Sequence, residues 1–231
     1  MTTRFLVIQG SYQKTATAVF DGHSICASIA EQSVMASARL VPMIDEVIGK
    51  SGIDFNAIDF IAVDQGPGAF TSLRVSITTA NALGYSKKIP LIGVDGIDAL
   101  KNEVISSIEK ESVLVVLFNA YNSEVFYGLY KSCGTLLETK GYEKIASLVE
   151  RLGKMECGNF VFAGNGALMH KSKILDVLKE AKVMDVDQAS ISTIASMAFD
   201  KKDSEKQFKL SPLYLKTQKF AIRRPAIKAC D

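Results

Sequence analysis

Several kinds of residue are scarce in this sequence, and each shortage excludes a class of protein. The 231 residues include no tryptophan and only two histidines, and the charges nearly balance at a formal net charge of +2. A near-neutral chain has no overall attraction to nucleic acid, so such contact would need a local patch. No apolar run approaches the roughly 20 residues of a membrane-spanning helix, and the opening MTTRFLVIQG predicts a strand and no signal peptide. We expect a cytoplasmic protein without membrane association.

The few histidines and cysteines also argue against metal or hydrolase chemistry. His23 and His170 are far apart in the sequence, and neither stands at ligand spacing from a carboxylate. No G-x-S-x-G elbow occurs. No C-x-x-C pair occurs among the four cysteines, Cys26, Cys133, Cys157 and Cys230. We therefore expect reduced thiols, no metal site and no catalytic residues.

The first half of the sequence alternates between strand and helix patterns. The order is three strands, a helix, a strand, a helix, a strand and a helix, which is typical of the ribonuclease-H-like fold with its mixed sheet. Pro42 lies inside the first helical pattern and should kink that helix or displace its first turn. The predicted strands are 5–8, 15–20, 24–30, 58–63 and 90–94, and the predicted helices are 37–52, 70–85 and one from about Asp98.

The second half repeats this order in weaker form. Strands are predicted at 113–118, 124–130, 135–140 and 160–163, and helices at 142–151 and 168–181. We therefore predict an α/β protein of two ribonuclease-H-like subdomains of the actin-like ATPase superfamily, each a mixed five-stranded sheet with flanking helices. The domains are residues 1–108 and 109–231, with a closing helix near 190–200 that packs on the first domain and a basic tail after residue 215.

A glycine-rich turn, VDQGPGAFTSLRV, joins the fourth strand to the next helix. It is not a P-loop, because Thr71 stands where the second glycine should be and Ser72 where the lysine should be. The dinucleotide fingerprint matches only at Gly66 and Gly68. Backbone N–H groups before a helix can still bind an anion, so these two glycines are candidate anion or nucleotide contacts. Asp64 either caps this turn or belongs to a site.

In each half of the sequence, the first predicted strand ends in an uncharged side chain. ATPases of this superfamily place an aspartate at the end of the first strand to manage magnesium and water. This chain has Gln9 there and Asn119 in the second copy, and an amide neither acts as a base nor brings a carboxylate to a cation. We therefore do not expect ATP hydrolysis by this chain alone.

The helix after the glycine turn carries two small or apolar faces. One stripe contains Leu73, Ile77 and Ala80, and a second contains Ser76, Thr79 and Leu83. Either the helix is packed between the sheet and a neighbouring helix, or its second face docks another protein. The tail KTQKFAIRRP, from Lys216, could track a phosphate backbone, although a solvated end is the favoured interpretation.

These motifs together resemble a known family. VDQGPGAFTSLRVSITTANALG followed by IPLIGVDGIDAL is similar to the signature of the bacterial TsaB proteins, formerly YeaZ, approximately D-x-G-P-G-S-F-T-G-L-R-x-G and then P-x-x-G-V-S-S-L-x-A-L. The family's proline-containing helix is similar to ARLVPMIDEVIGKSGI. Its motif D-A-R-x-x-E-V-Y is similar to NAYNSEVFY, and its terminal motif P-x-Y-L-R is similar to SPLYLK. Five residues differ from the family pattern, at positions expected to contact nucleotide or to lie in the helix after the glycine turn. They are Gln9, Ser72, Ser76, Asn119 and Tyr121.

The resemblance implies a subunit that has lost catalysis and serves as a scaffold. Members pair with the paralogue TsaD, which carries the metal and the transferase site, and with the ATPase TsaE; no cofactor of its own is implied, and ATP and metal belong to the partners. The assembly transfers a threonylcarbamoyl group to the adenosine beside the anticodon of tRNA, so this chain would meet tRNA only through the complex. In the absence of TsaD, the apolar surface that pairs with TsaD would instead form a homodimer.

The resemblance also implies a helical interface with TsaD. The nine residues expected there are Leu40, Met43, Ile44, Val47, Phe70, Leu73, Arg74, Ile77 and Thr78. Three other functions compete with the scaffold interpretation: an active ATPase or sugar-kinase-like enzyme of the same superfamily, a peptidase, and direct tRNA binding through the basic tail. Gln9 and Asn119 argue against the first, and the missing metal set and nucleophile elbow argue against the second.

Overall fold

The first half of the chain forms one five-stranded sheet. A computed structural model describes residues 2–12, 14–32, 36–138, 140–155 and 159–215. The sheet has the order β3-β2-β1-β4-β5, with β1 antiparallel to β2 and parallel to β4. Its strands are β1 (Arg4–Gln9), β2 (Lys14–Asp21), β3 (Ser24–Gln32), β4 (Phe60–Asp64) and β5 (Leu91–Val94), and its helices are α1 (Ala36–Ser51), α2 (Phe70–Lys87) and α3 (Gly96–Val104).

The second half repeats the arrangement. Its sheet has the order β10-β9-β6-β7-β8, and the equivalent pairings recur, with β6 antiparallel to β7 and parallel to β9. The predicted fold class is therefore confirmed. The strands are β6 (Val113–Asn119), β7 (Glu124–Lys131), β8 (Gly141–Lys144), β9 (Phe160–Ala163) and β10 (Lys182–Val183), and the helices are α4 (Ile145–Gly153), α5 (Asn165–Met169), α6 (Lys171–Val177) and α7 (Ile191–Asp200).

Strand alternation divides the core into an inner layer and two outer layers. In β1, Phe5 and Val7 face the inner layer, which they share with residues of β6 such as Val116, whereas Leu6 and Ile8 face an outer layer beneath α1 and α2. A second outer layer lies between β6 and α4. Helix α7 follows the second sheet in the chain but packs on β1, β2, β4 and β5 of the first. The two halves therefore share one core.

Three local predictions were wrong, and one strand was missed. The third strand of the second half lies at Gly141–Lys144 and not at 135–140; in the predicted stretch Leu136 makes an isolated bridge with Tyr130. The following helix consequently begins at Ile145 and not at residue 142. The predicted helix 168–181 is two helices, α5 and α6, broken at His170. Strand β10 was not predicted.

Two further observations concern helices. Pro42 lies on the exposed side of α1, and the helix already begins at Ala36, so the proline does not displace its first turn. Within the described part of the chain, no helix is both long enough and apolar enough to cross a membrane.

Candidate functional site

The cleft between the two sheets is where a ligand would be expected in this architecture. Ligands of α/β folds bind beyond the carboxyl ends of the strands. Gln9 ends β1 and Asn119 ends β6, so both predicted positions lie at such strand ends, one in each half. The cleft is therefore the first place to test for nucleotide binding.

Tyr12 closes this cleft. It follows β1, its side chain is 8% exposed, and its hydroxyl donates a hydrogen bond of 3.1 Å to the main-chain carbonyl of Asn119. The Tyr12 ring also packs on Phe118, with ring centroids 5.4 Å apart. Burial, with the negative charge of Asp64 adding to it, raises the pKa of Tyr12 well above its ordinary value. Tyr12 is therefore a neutral bridge between the two halves.

Gln9 makes a second bridge. Its side-chain amide is buried and donates a hydrogen bond of 2.8 Å to the carbonyl of Ala189, which lies just before α7. The position that carries an aspartate in the related ATPases is thus used for an internal hydrogen bond. A neutral amide suits this role, because a buried carboxylate facing a carbonyl would be left without a donor.

Asp64 also serves the fold. Its carboxylate is buried and accepts hydrogen bonds from the Ser11 hydroxyl, at 2.6 Å, and from the Gly66 N–H, at 2.9 Å. Burial raises the pKa of Asp64 to about 6, although these two hydrogen bonds lower it. Asp64 therefore ties the glycine turn to the turn after β1, and its oxygen atoms are already occupied.

The glycine turn is shaped by packing. Gly66 has φ +87°, and its N–H is occupied by Asp64. A side chain at Gly68 would overlap the carbonyl of Ser11, the group that accepts a hydrogen bond of 2.6 Å from Ala69 N–H. Gly66 is therefore not free to bind an anion through its N–H, contrary to its prediction as an anion contact, and Gly68 is required for the close approach of the two turns.

The residues of the cleft do not fit a magnesium–nucleotide complex. Beside Tyr12 a cavity of about 180 Å³ is left, lined by polar residues such as Lys14 and Asn165, which is below the roughly 300 Å³ at which ligand pockets begin. No group of three or more His, Cys, Asp or Glu able to hold a metal occurs among the described residues. His23 lies against Phe199, and His170 lies in the second half, so the two histidines are not brought together.

The structure requires a correction to the predicted helical interface. Six of its nine side chains are 4% exposed or less and lie in the outer layer of the chain's own core, where a second protein cannot reach them. Phe70, Arg74 and Thr78 are exposed. The six buried residues are Leu40, Met43, Ile44, Val47, Leu73 and Ile77.

A different face of α2 is open. In the second stripe, Ser76 is buried with its hydroxyl 3.4 Å from the carbonyl of Gly10, and Thr79 and Leu83 are half-buried. The exposed stripe lies on the opposite side of the helix from both and has helical spacing. It consists of Thr71, Arg74, Thr78, Ala82 and Tyr85. On α1, the exposed residues include Val41, which is 57% exposed, and Gly49.

The segment 207–215, which we call the strap, holds one side of α2. Gln207 pairs with Leu91 at the edge of β5 through hydrogen bonds of 2.7 and 2.9 Å. The Asn81 side chain then donates to the carbonyl of Leu210 and accepts from its N–H, at 2.9 and 2.8 Å. Farther along, Gln65 binds the main chain of the strap, its carbonyl accepting from Leu213 N–H.

The strap ends beside the start of α2. The Arg74 guanidinium donates 2.9 Å to the Tyr214 hydroxyl and lies 3.7 Å from the centre of the Phe70 ring. Next to them, a cavity of about 200 Å³ is lined by Phe70, Tyr214 and, from the second half, Tyr121. Sequence analysis missed Tyr12, Asn81 and the strap contacts; an aromatic residue directly after the first strand was the available signal for Tyr12. The basic tail lies outside the described residues.

Comparison with solved structures supports the fold. A solved protein with an actin-like ATPase fold from Bacteroides thetaiotaomicron matches 84% of this chain and 95% of its own at a TM-score of 0.51, with 9% identity. YeaZ from Pseudomonas aeruginosa matches 92% of this chain and 100% of its own, at a TM-score of 0.75 and 20% identity. The class is thus an actin-like ATPase fold whose cleft is closed by its own side chains.

Sequence comparison defines the family. The family model described as "TsaD: tRNA N6-adenosine threonylcarbamoyltransferase" matches residues 16–214. A "tRNA threonylcarbamoyladenosine biosynthesis protein TsaB" of Buchnera aphidicola subsp. Schizaphis graminum is 27% identical over 170 residues, 72% of this chain and 80% of its own. The chain belongs to the family of this model and, within it, to the TsaB or YeaZ proteins.

Proposed function

We propose that this chain is a non-catalytic subunit of the machinery that makes tRNA threonylcarbamoyladenosine, and that it acts by holding a TsaD homologue. The observation that carries this proposal is the closed cleft. Tyr12 and Gln9 join the two halves at the strand ends where a nucleotide would otherwise sit. A chain that uses these positions for its own hydrogen bonds contributes to the assembly through its surface.

The surface that fits this role is the open face of α1 and α2. Apart from Arg74 it carries small or uncharged residues on α2, including Ala82 and Tyr85, the latter 86% exposed. Arg74 is engaged by Phe70 and Tyr214. The small uncharged side chains of α2 let a second helix approach closely without stranding a charge, whereas the exposed side of α1 also carries Asp45 and the ion pair of Glu46 and Lys50. A partner of the same family would carry an equivalent helix pair, so the two pairs would form a four-helix bundle.

The experiment is co-expression with the TsaD homologue of the same organism, followed by size-exclusion chromatography with light scattering. Ala82→Glu should abolish the heterodimer, because it places a charge in the bundle. Its matched control is Ala146→Glu, which makes the same change at an exposed position of α4. If Ala82→Glu co-purifies with TsaD as wild type does, the α1–α2 face is not the interface.

The remaining parts of the proposal concern the wider assembly. ATP and metal would be bound by the partner subunits, TsaD and the ATPase TsaE, and this chain would meet tRNA through the complex in the cytoplasm. Direct tRNA binding by the tail is tested by deleting residues 216–231 and measuring tRNA retention by the assembled complex. Unchanged retention supports the indirect contact.

An active ATPase or sugar-kinase-like enzyme is the competing function. It requires that the cleft admit a nucleotide, and a ligand present at 100 times its dissociation constant would stabilise the chain by about 2.7 kcal/mol. We expect no shift in the melting temperature of the isolated chain with magnesium–ATP. A melting temperature that rises with the concentration of magnesium–ATP in wild type, and does not rise in Tyr12→Trp, would support the enzyme function instead.

A further inference from the structure

Arg74 is the only charged residue of the exposed stripe of α2, and it lacks an ionic partner among the described residues. The structure describes four arginines, and the other three form ion pairs with carboxylates. These pairs are Arg4 with Asp21, Arg39 with Glu31, and Arg151 with Glu138 and Glu143. The described part of the fold therefore leaves the charge of Arg74 uncompensated.

Two aromatic side chains nevertheless hold the Arg74 guanidinium in place. Its centre lies 3.7 Å from the centre of the Phe70 ring and 5.9 Å from that of the Tyr214 ring. Its Nε donates a hydrogen bond of 2.9 Å to the Tyr214 hydroxyl. A guanidinium has five N–H donors, and among the described residues only the Nε donor of Arg74 has an acceptor. The two Nη groups are therefore held in position but free to bind an acceptor.

The position of Arg74 selects the chemistry of what covers it. A helix packed on the exposed stripe would take the guanidinium out of water, and a buried charge without a counterion is strongly destabilising. The phenol of Tyr214 and the ring of Phe70 are neutral and cannot supply the counterion. A carboxylate can, because its two oxygen atoms match the planar fork of the guanidinium. Since Nε is engaged by Tyr214, this carboxylate would bind the two Nη groups.

We infer that an Asp or Glu carboxylate on the bundle helices of the TsaD homologue binds the Nη groups of Arg74, and that Tyr214 positions Arg74 for it. The inference rests on the proposed function. Tyrosine and arginine are enriched among the residues that carry most of the binding energy of an interface. Phe70 and Tyr214 are 40% and 51% exposed, so both can contact the partner beside Arg74. The strap thus contributes to the interface through Tyr214.

The test is the dissociation constant of the full chain with the TsaD homologue, measured by isothermal titration calorimetry. Arg74→Gln should raise it about 30-fold or more, because the partner's carboxylate loses its counterion. Arg74→Lys should recover only part of the affinity, since an ammonium group lacks the planar fork. The control is Lys171→Gln, which removes an exposed charge of α6 and should bind as wild type. The melting temperature of each variant alone should match that of wild type.

Charge exchange identifies the carboxylate on the partner. Arg74→Glu should abolish binding, and replacing one acidic residue of the partner's helices by arginine should restore it. If no such replacement restores binding, the inference is wrong. Tyr214→Phe tests the positioning role: it should weaken binding in the wild-type background and have no effect in the Arg74→Gln background. An equal effect in both backgrounds would show that Tyr214 does not act through Arg74.

Ala82→Glu separates this inference from the proposed function. If Ala82→Glu abolishes the heterodimer but Arg74→Gln binds as tightly as wild type or more tightly, the face is the interface and the carboxylate is ruled out. If neither substitution affects the heterodimer, the proposed face itself is wrong. An Arg74→Gln variant that keeps its affinity for TsaD but lowers tRNA retention by the complex would assign Arg74 to an RNA phosphate and overturn the inference.

Discussion

The Tyr12 hydroxyl lies 3.1 Å from the main-chain carbonyl of Asn119, and this hydrogen bond joins two residues 107 positions apart, one from each half of the molecule. The contact spans the strand ends at which a nucleotide would connect the two halves of an ATPase. The bridge is therefore part of the fold, present without any ligand, and its removal should be measurable as a loss of stability.

Tyr12→Phe should lower the free energy of unfolding by about 1 kcal/mol, the usual contribution of a hydrogen bond with a buried partner. Urea denaturation measures the change. The matched control is Tyr85→Phe, since Tyr85 is 86% exposed and should tolerate the loss of its hydroxyl. Equal stability of the two variants would show that the bridge contributes nothing.

Asp64 should make stability depend on pH. Burial raises its pKa to about 6, whereas an aspartate of an unfolded chain titrates near 4. Between these values the folded state holds more protons than the unfolded state, so the contribution of Asp64 to the free energy of unfolding falls as pH rises from about 4 to about 6 and stays low above that.

Asp64→Asn isolates this effect, because asparagine cannot ionise but can still accept from Gly66 N–H and donate to Ser11. The free energy of unfolding of the variant, relative to that of wild type, should rise by on the order of 2 kcal/mol between pH 4 and pH 7. Urea denaturation at each pH measures it. Asp64→Ala should instead be less stable than Asp64→Asn throughout. If the difference in free energy of unfolding between Asp64→Asn and wild type does not change with pH, the prediction is wrong.

Asn81 should hold the strap on α2. Asn81→Ala removes both hydrogen bonds to the main chain of Leu210, which is 2% exposed. The substitution should lower the free energy of unfolding by about 1–3 kcal/mol. Hydrogen exchange should quicken in residues 207–215 and along α2. Asn102→Ala, at an exposed position of α3, is the control and should leave exchange in both segments unchanged.

Leu73 distinguishes a core residue from an interface residue. It is 2% exposed, so Leu73→Ala should lower the free energy of unfolding of the isolated chain by about 2–5 kcal/mol, and Leu73→Glu should prevent folding. Loss of a partner in Leu73→Glu would therefore say nothing about the interface. Ala82→Glu should leave the melting temperature unchanged; if it unfolds the chain, α2 has no open face at this position.

The first sheet was predictable because its signals are local. Alternating or continuous apolar runs, the hairpin turn at Gly22 and the helical spacing of α1 each specify an element over a few residues. The second half was harder, because β10 is two residues long and the break at His170 between α5 and α6 has no glycine or proline to announce it.

The candidate site was less predictable than the fold. An apolar stripe such as that of Leu40, Met43 and Val47 looks the same in sequence whether it faces its own sheet or another protein, and here it faces its own sheet. The bridge between Tyr12 and Asn119 depends on how the two halves meet, which no local pattern encodes. The expectation drawn from Gln9, that this chain does not hydrolyse ATP by itself, stays a prediction; the structure adds that the Gln9 amide donates to the carbonyl of Ala189.

The strap has a consequence for the order in which the molecule is made. α2 leaves the ribosome about 120 residues before the strap that fastens it, so a nascent chain exposes the groups of Asn81 and Leu91 that the strap later engages. A chain cut short before residue 207 would lack these contacts too. Until the strap has been translated, the Asn81 side chain and the β5 edge at Leu91 can therefore form these hydrogen bonds only with water.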